Sequence, residues 1–191
     1  YFTSREDLNY DAIVTDRVHL AICIKTADCV PVFLADPENQ VIAAVHAGWR
    51  GTAAGITAKV VRLMQNQYGS RPVDLLAAIG PSIGRCCYEV DAPAADAFRL
   101  HPDAKNFLFP SKRKDRWMLD LVQANRGQLI DCGIPDASID ASGLCTVCRE
   151  DDFFSHRGSG GVTGRQINFL MLKGDPICKA LLLNDDLCHI H

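Results

Sequence analysis

Short apolar runs separated by turn residues mark the first third of the chain. Residues 20–34 are rich in Val, Ile, Phe and Cys, and residues 41–45 form a second run of strand length and composition. The intervening residues 35–40 are of types that favour turns. The pattern therefore predicts an antiparallel hairpin, with Pro31 interrupting its first strand and His46 ending its second.

Apolar residues at helical spacing follow this hairpin. Thr52 is the predicted N-cap of an amphipathic helix that ends at Gly69. Further elements are predicted as helices from Asp91 and over residues 120–133, and as strands over residues 73–79 and 167–172. Because strands and helices mix without strict alternation, the sequence favours a single-domain α+β fold, a layered α/β sandwich with a mixed β-sheet.

Composition narrows the class of protein. The 191 residues are 48% hydrophobic and 23% charged, which suits one domain with a sizeable core. A net charge of −3 offers no basic field for a nucleic-acid backbone or an anionic membrane surface. No apolar run reaches the ~18 residues of a membrane span. We expect a small-molecule substrate and no nucleic-acid or membrane partner; the oligomeric state is left open.

The nine cysteines are scattered without the spacing of a disulfide framework. They predict reduced thiols in a cytoplasmic protein. The vicinal pair Cys86 and Cys87 is interpreted as core packing. Cys145 and Cys148 have a spacing that would support a zinc ribbon only with a second such pair, so they are interpreted as structural as well.

Cys29 and His46 are the leading candidates for chemistry. In the predicted hairpin both side chains lie at strand ends, at the same end of the hairpin. There a thiolate and an imidazole could share a metal or act as nucleophile and base. A catalytic zinc usually takes three protein ligands, so a third would come from elsewhere. The plain alternative is a buried small thiol and a hydrogen-bonded histidine at a strand end.

Three arginines are candidates for binding an anionic or carbonyl-bearing ligand. Arg50 lies in a Gly-Trp-Arg-Gly turn at the start of a predicted helix, where a guanidinium and free backbone N–H groups suit a phosphate or an oxyanion. Arg157 and Arg165 flank a glycine-rich loop. An ordinary strand-to-helix turn and a solvated loop tip are the alternatives.

The motifs TADCVPVFL, AAVHAGWRGTAAGI, IGPSIGRCCYEV and FFSHRGSGGVTGRQINFLML occur in this order. Together they resemble the YfiH family, also called the laccase-domain or multicopper polyphenol oxidoreductase family, from about residue 11 to residue 172. The TADC and HAGWRG motifs are specific when their Cys29 and His46 stand seventeen positions apart. The resemblance implies a domain over residues 1–173, with part of the family's N-terminal portion missing, and a C-terminal tail over residues 174–191.

The resemblance also implies function. It predicts a purine nucleoside phosphorylase with adenosine deaminase activity that depends on zinc, with copper as the alternative metal, and whose metal is held by Cys29 and His46 with a further histidine upstream. Arg50 is then the candidate for phosphate, and Arg157 or Arg165 for the purine or ribose. Deamination would use a zinc-activated water to attack the purine ring, whereas phosphorolysis would need a bound phosphate.

Three other functions stay open at this point. The first is copper-dependent oxidation of polyphenols, which the six histidines of the chain disfavour as a true multicopper centre. The second is a cysteine or zinc hydrolase of cell-wall precursors, including a metal-independent form with Cys29 as nucleophile and His46 as base. The third is a pocket that only binds a nucleoside or a protein partner.

Overall fold

The apolar run after the predicted turn becomes an interior strand of the largest sheet. A computed structural model describes residues 10–174, in which β4 (Val41–Ala47) lies inside a five-stranded sheet. Val41 and Val45 face the main core, where the helix Ile56–Tyr68 packs on the sheet, whereas Ile42 and Ala44 face a second apolar cluster on the other side. Burial on both faces explains why the run is apolar without alternation.

The five-stranded sheet has the order β1, β4, β3, β5, β9. Its other strands are β1 (Ala12–Thr15), β3 (Val30–Asp36), β5 (Leu76–Ile79) and β9 (Ile139–Ala141). The β5 and β9 strands pair in parallel and the other neighbours pair antiparallel. The predicted hairpin of β3 and β4 and the predicted mixed sheet are therefore confirmed.

Two smaller sheets complete the strands of the described part of the chain. One pairs β2 (Ala21–Thr26) with β10 (Gln166–Met171), and the other has the order β6 (Glu89–Val90), β8 (Trp117–Leu119), β7 (Leu108–Pro110). Ile22 and Ile24 of β2 pack under β4 and form a third layer. The structure thus confirms the layered sandwich.

The prediction of one strand over residues 20–34, interrupted at Pro31, is wrong. The segment forms two strands in different sheets, and the chain turns between them at Asp28, whose φ of +83° lies in the left-handed region. Pro31 lies near the start of β3, where a strand tolerates proline. The strand-breaking character of proline predicted an interruption at Pro31, but the chain turns at Asp28, whose position depends on tertiary contacts.

The helices are α1 (Trp49–Ala53), α2 (Ile56–Tyr68), α3 (Ala92–Arg99) and α4 (Leu121–Asp131). The predicted N-cap at Thr52 is wrong, since Gly48 precedes the first helical turn and Gly55, at φ +72°, separates α1 from α2. Thr52 is buried, and its hydroxyl accepts a hydrogen bond from the Asn125 amide. The predicted end at Gly69 is confirmed by its left-handed conformation.

The predicted domain bounds stay predictions. The predicted tail over residues 174–191 lies outside the described residues except for Gly174. Between residues 10 and 174, none of the helices has both the length and the apolar character that crossing a membrane requires.

Candidate functional site

The structure brings Cys29 and His46 together. Cys29 lies in the turn before β3, and His46 lies near the end of β4, opposite Pro31 in the hairpin register. A Cβ atom built on Gly48 would lie 3.3 Å from the Cys29 Sγ and 3.9 Å from the His46 Cε1, so both side chains border the same space. The convergence that the sequence predicted is present, and the metal-binding role of the pair stays a prediction.

Asp11 orients the His46 ring. Its Oδ1 lies 2.8 Å from the His46 Nδ1, so Nε2 is the ring nitrogen available to a further partner. The hydrogen bond with Cys29 is the largest cause that raises the pKa of His46, to about 9; burial lowers it, and Asp11 raises it further. A carboxylate on the far nitrogen is a common arrangement behind a metal-ligating histidine, because it fixes ring orientation and tautomer.

The donor set fits a thiophilic metal ion. A sulfur and an imidazole nitrogen are ligands that zinc accepts, and glycine at position 48 keeps a side chain away from the thiol, since a Cβ there would lie 3.3 Å from the Cys29 Sγ. In the described residues the pair supplies two ligand atoms, with Asp11 engaged on the other ring nitrogen. The arrangement can therefore hold a metal ion that keeps further coordination positions free for other ligands.

Asp28 holds the turn that carries Cys29. Its side chain is buried, its Oδ1 accepts a hydrogen bond from the Thr146 hydroxyl at 2.7 Å, and its Oδ2 accepts one from the backbone N–H of Arg157 at 2.6 Å. Its own carbonyl accepts from the backbone N–H of Ile83. One residue thus ties three distant segments to the position of the neighbouring thiol.

A cavity of about 230 Å³ opens next to these segments, with Trp49, Tyr88 and Arg157 in its wall. The Arg157 guanidinium lies over the Tyr88 ring, 5.2 Å from its centroid, and donates a hydrogen bond to the carbonyl of Glu89. Burial raises the pKa of Tyr88 to about 12, the charge of Cys29 raises it further, and Arg157 lowers it. Tyr88 therefore lies within electrostatic range of both Cys29 and Arg157.

Tyr88 and Asp28 were missed by sequence reasoning. Asp28 stands beside Cys29 in the TADC motif and Tyr88 follows Cys87, so each was visible as part of a motif but carried no role. The signal for Asp28 was its charge in an otherwise apolar run, since a buried carboxylate needs partners. No local signal identifies Tyr88, because its neighbours are distant in sequence.

The two remaining arginine candidates differ in placement. The Arg50 guanidinium lies over the Trp49 ring, 4.2 Å from its centroid, and its charge reaches Tyr88. Arg165 is exposed, and its guanidinium donates to the carbonyls of Thr163 and Gly164 in its own loop. The structure therefore places Arg157 in the cavity wall, places Arg50 over the ring of the wall residue Trp49, and gives Arg165 only local contacts.

The interpretation of Cys86 and Cys87 as core packing is wrong. Cys86 is exposed and Cys87 is half-buried. Their sulfur atoms lie with those of Cys145 and Cys148 in one group, all within 4.8 Å of one another. The second pair that a zinc site with Cys145 and Cys148 would need is thus present as vicinal residues rather than as a second C-x-x-C.

The four cysteines, called here the four-thiol cluster, meet because of the sheet topology. The β5 and β9 strands are parallel neighbours, so the segments that follow them leave the sheet at the same edge. A further bridge between Ser82 and Cys145 extends this pairing. Burial raises the pKa of Cys86 to about 11. Burial also acts on Cys145, but hydrogen bonds from the backbone N–H groups of Cys148 and Gly84 outweigh it and lower the pKa to about 7.

Comparison with known proteins relates this chain to a family. Residues 2–173 match the sequence model of the family described as multi-copper polyphenol oxidoreductase laccase. The purine nucleoside phosphorylase YlmD of Geobacillus stearothermophilus is 40% identical over 161 residues, which are 84% of this chain and 59% of the relative. An adenosine deaminase, RL5, from an unknown prokaryotic organism is 38% identical and is matched over 81% of this chain and 59% of the relative.

Solved structures show the same fold. The YfiH protein of Bacillus licheniformis superposes with a TM-score of 0.82 at 41% identity, over 85% of this chain and 61% of that one. YlmD of Geobacillus stearothermophilus superposes with a TM-score of 0.81 at 39% identity, over 86% of this chain and 61% of that one. The chain therefore spans about three fifths of the length of these proteins.

Proposed function

The chain belongs to the multi-copper polyphenol oxidoreductase laccase family, and from this premise we propose that it carries the metal-dependent site of a purine nucleoside phosphorylase. The observation that carries the proposal is the meeting of Cys29 and His46 at the space beside Gly48. The names of the relatives, which include purine nucleoside phosphorylases and one adenosine deaminase, support nucleosides as the substrate class.

Cys29 and His46 would hold the metal, which is zinc in this proposal, and Asp11 would fix the histidine ring. When bound, the ion supplies Lewis-acid polarisation of a substrate group. Asp28 keeps the thiol in place through two hydrogen bonds to the segment that connects β9 with β10. A third protein ligand, as the family resemblance implies, is an upstream histidine.

The chain's own residues would bind the two substrates. Phosphorolysis breaks the bond between C1′ of the ribose and the base nitrogen, and forms a bond from C1′ to a phosphate oxygen. Arg50 offers a cation for the phosphate, and Arg157 with the Tyr88 ring offers a stacking surface and a cation at the cavity wall for the nucleoside. Arg165 stays a weaker candidate for the ribose or purine.

Adenosine deamination is the second candidate, and the name of the relative RL5 favours it. Polyphenol oxidation has the family description in its favour, but the pair of Cys29 and His46 offers ligands for one ion rather than for a group of copper ions. We expect the reaction in the cytoplasm, because the seven cysteines of the described part of the chain are free thiols.

The test is product analysis with the purified protein loaded with zinc. Adenosine is incubated with and without phosphate, and the products are separated by chromatography. Phosphate-dependent adenine together with ribose 1-phosphate supports phosphorolysis, and phosphate-independent inosine indicates deamination. Replacing Cys29 by Ser is expected to lower turnover at least about 100-fold, while Cys23→Ser, at an exposed thiol on β2, leaves it unchanged.

Two results would overturn the proposal. Full turnover after complete chelation of metal would favour Cys29 as a nucleophile with His46 as its base. Absence of any product from adenosine or inosine, in protein that retains its metal, would leave a binding role only. Arg50→Ala is expected to raise the KM for phosphate with the metal content intact, and an unchanged KM would remove Arg50 from phosphate binding.

A further inference from the structure

The four-thiol cluster has the dimensions of a metal site. The Cys148 Sγ lies 3.5 Å from the Sγ of Cys86 and 3.5 Å from that of Cys87, and the four sulfurs lie within 4.8 Å of one another. A disulfide needs sulfurs about 2.05 Å apart, so the thiols are not bonded. Tetrahedral zinc with Zn–S distances of about 2.3 Å places its sulfurs about 3.8 Å apart.

We propose that Cys86, Cys87, Cys145 and Cys148 bind one structural zinc ion through four thiolates. Four thiolates fill a tetrahedral shell and leave no position for substrate, which is the pattern of structural rather than catalytic zinc. This site is separate from the Cys29 and His46 pair, and it stands whether or not the proposed function is correct.

The backbone around the cluster is arranged for thiolates. The Gly84 N–H donates a hydrogen bond to the Cys145 Sγ at 3.2 Å. Such a donor stabilises negative charge on sulfur that a packed, neutral cysteine would not need. A Cβ on Gly84 would lie 3.1 Å from the Cys145 Cβ and 3.2 Å from the Cys86 Sγ, so glycine is what lets this backbone approach the sulfurs.

The cluster joins the two loops that support the candidate active site. Cys87 precedes Tyr88, which lies in the cavity wall, and Cys145 precedes Thr146, which donates to the Asp28 carboxylate. Because these loops follow β5 and β9 and make few strand contacts of their own, a zinc ion would cross-link them and hold both Tyr88 and Asp28 in place.

The test measures metal content and ligand type, not activity. Protein purified under reducing conditions is analysed for zinc by elemental analysis. The double variant C86S/C148S is expected to lose about one ion per chain relative to the unmodified protein. Cys23→Ser is the matched control and is expected to lose none. Cys29→Ser, which removes a ligand of the other site, is expected to leave the cluster zinc bound.

Cobalt substitution provides an assay that needs no variant. Reconstitution of the unmodified protein with Co²⁺ is expected to give thiolate-to-cobalt charge-transfer absorption of the strength of four thiolates, together with the visible bands of tetrahedral cobalt. Zinc content that C86S/C148S leaves unchanged would overturn the proposal. So would iron in place of zinc, disulfides among these cysteines in the reduced preparation, or a cobalt spectrum without four-thiolate intensity.

Discussion

Replacing Asp28 by Asn tests how the thiol of the candidate site is held. Asn is close in size and tolerates the left-handed conformation of this position, so backbone strain is a small part of any effect. The carboxylate accepts from the Thr146 hydroxyl at 2.7 Å and from the Arg157 N–H at 2.6 Å. An amide keeps one acceptor and turns its NH₂ group toward the other donor.

The expected cost follows from these two hydrogen bonds. Loss of one hydrogen bond to a charged acceptor costs about 1.5–3 kcal/mol, and an N–H left without a partner in a half-buried place adds about 1–2 kcal/mol. We therefore expect Asp28→Asn to lower the free energy of unfolding by about 3 kcal/mol. Urea unfolding followed by tryptophan fluorescence measures this as a lower midpoint at unchanged slope.

Two variants act as controls for this prediction. Thr146→Val removes a single hydroxyl donor to Asp28 and is expected to cost about 1–2 kcal/mol. Arg157→Ala removes the guanidinium but keeps the backbone N–H that donates to Asp28, so it is expected to change stability by less than about 1 kcal/mol. The reasoning is refuted if Asp28→Asn unfolds with the wild-type midpoint, or if Arg157→Ala is as destabilising as Asp28→Asn.

Three further predictions test other contacts. In metal-free protein the NMR titration of His46 should have its midpoint near pH 9, so the stability that this group contributes is complete below pH 6.5 and is lost as the pH rises through about 9. Cys29→Ser should lower this midpoint more than Asp11→Asn, and a midpoint near 6.5 in the unmodified protein would contradict the geometry. Gly48→Ala places a methyl group 3.3 Å from the Cys29 sulfur and should weaken zinc binding at that site about 10- to 100-fold, as measured by chelator competition. An unchanged zinc affinity would show that the metal does not need this space. Asn125→Ala removes a buried amide whose three hydrogen bonds connect α1, α2 and α4. It should lower the free energy of unfolding, measured with urea, by about 2–4 kcal/mol, and a decrease below about 1 kcal/mol would mean that these hydrogen bonds add little stability.

The strands and helices with strong patterns were predictable from the sequence. The β3 and β4 hairpin, the end of α2 at Gly69, and the helices after Asp91 and Asp120 follow from apolar spacing and from terminal residues. The prediction failed where a local signal competed with a distant contact. Thr52 has the type of an N-cap, but its hydroxyl is buried against Asn125 of α4.

The Cys29 and His46 pair was predictable because both residues lie on one hairpin. Register along adjacent strands is set by short-range pairing, so a motif pair seventeen positions apart already indicates a contact. The four-thiol cluster was not predictable in this way, because Cys86 and Cys148 are separated by α3, α4 and several strands. Only the parallel pairing of β5 with β9 brings their loops together.

The sequence by itself determined the periodicity of the elements, the turn after β3 and the family motifs, since each depends on residues near one another in the chain. The tertiary structure decided which loops share an edge of the sheet, that Asp28 rather than Pro31 turns the chain, and that four scattered thiols converge. The physical reason is that side-chain propensity and hydrophobic period act over a few residues, whereas the pairing of distant strands is fixed by burial of the whole core.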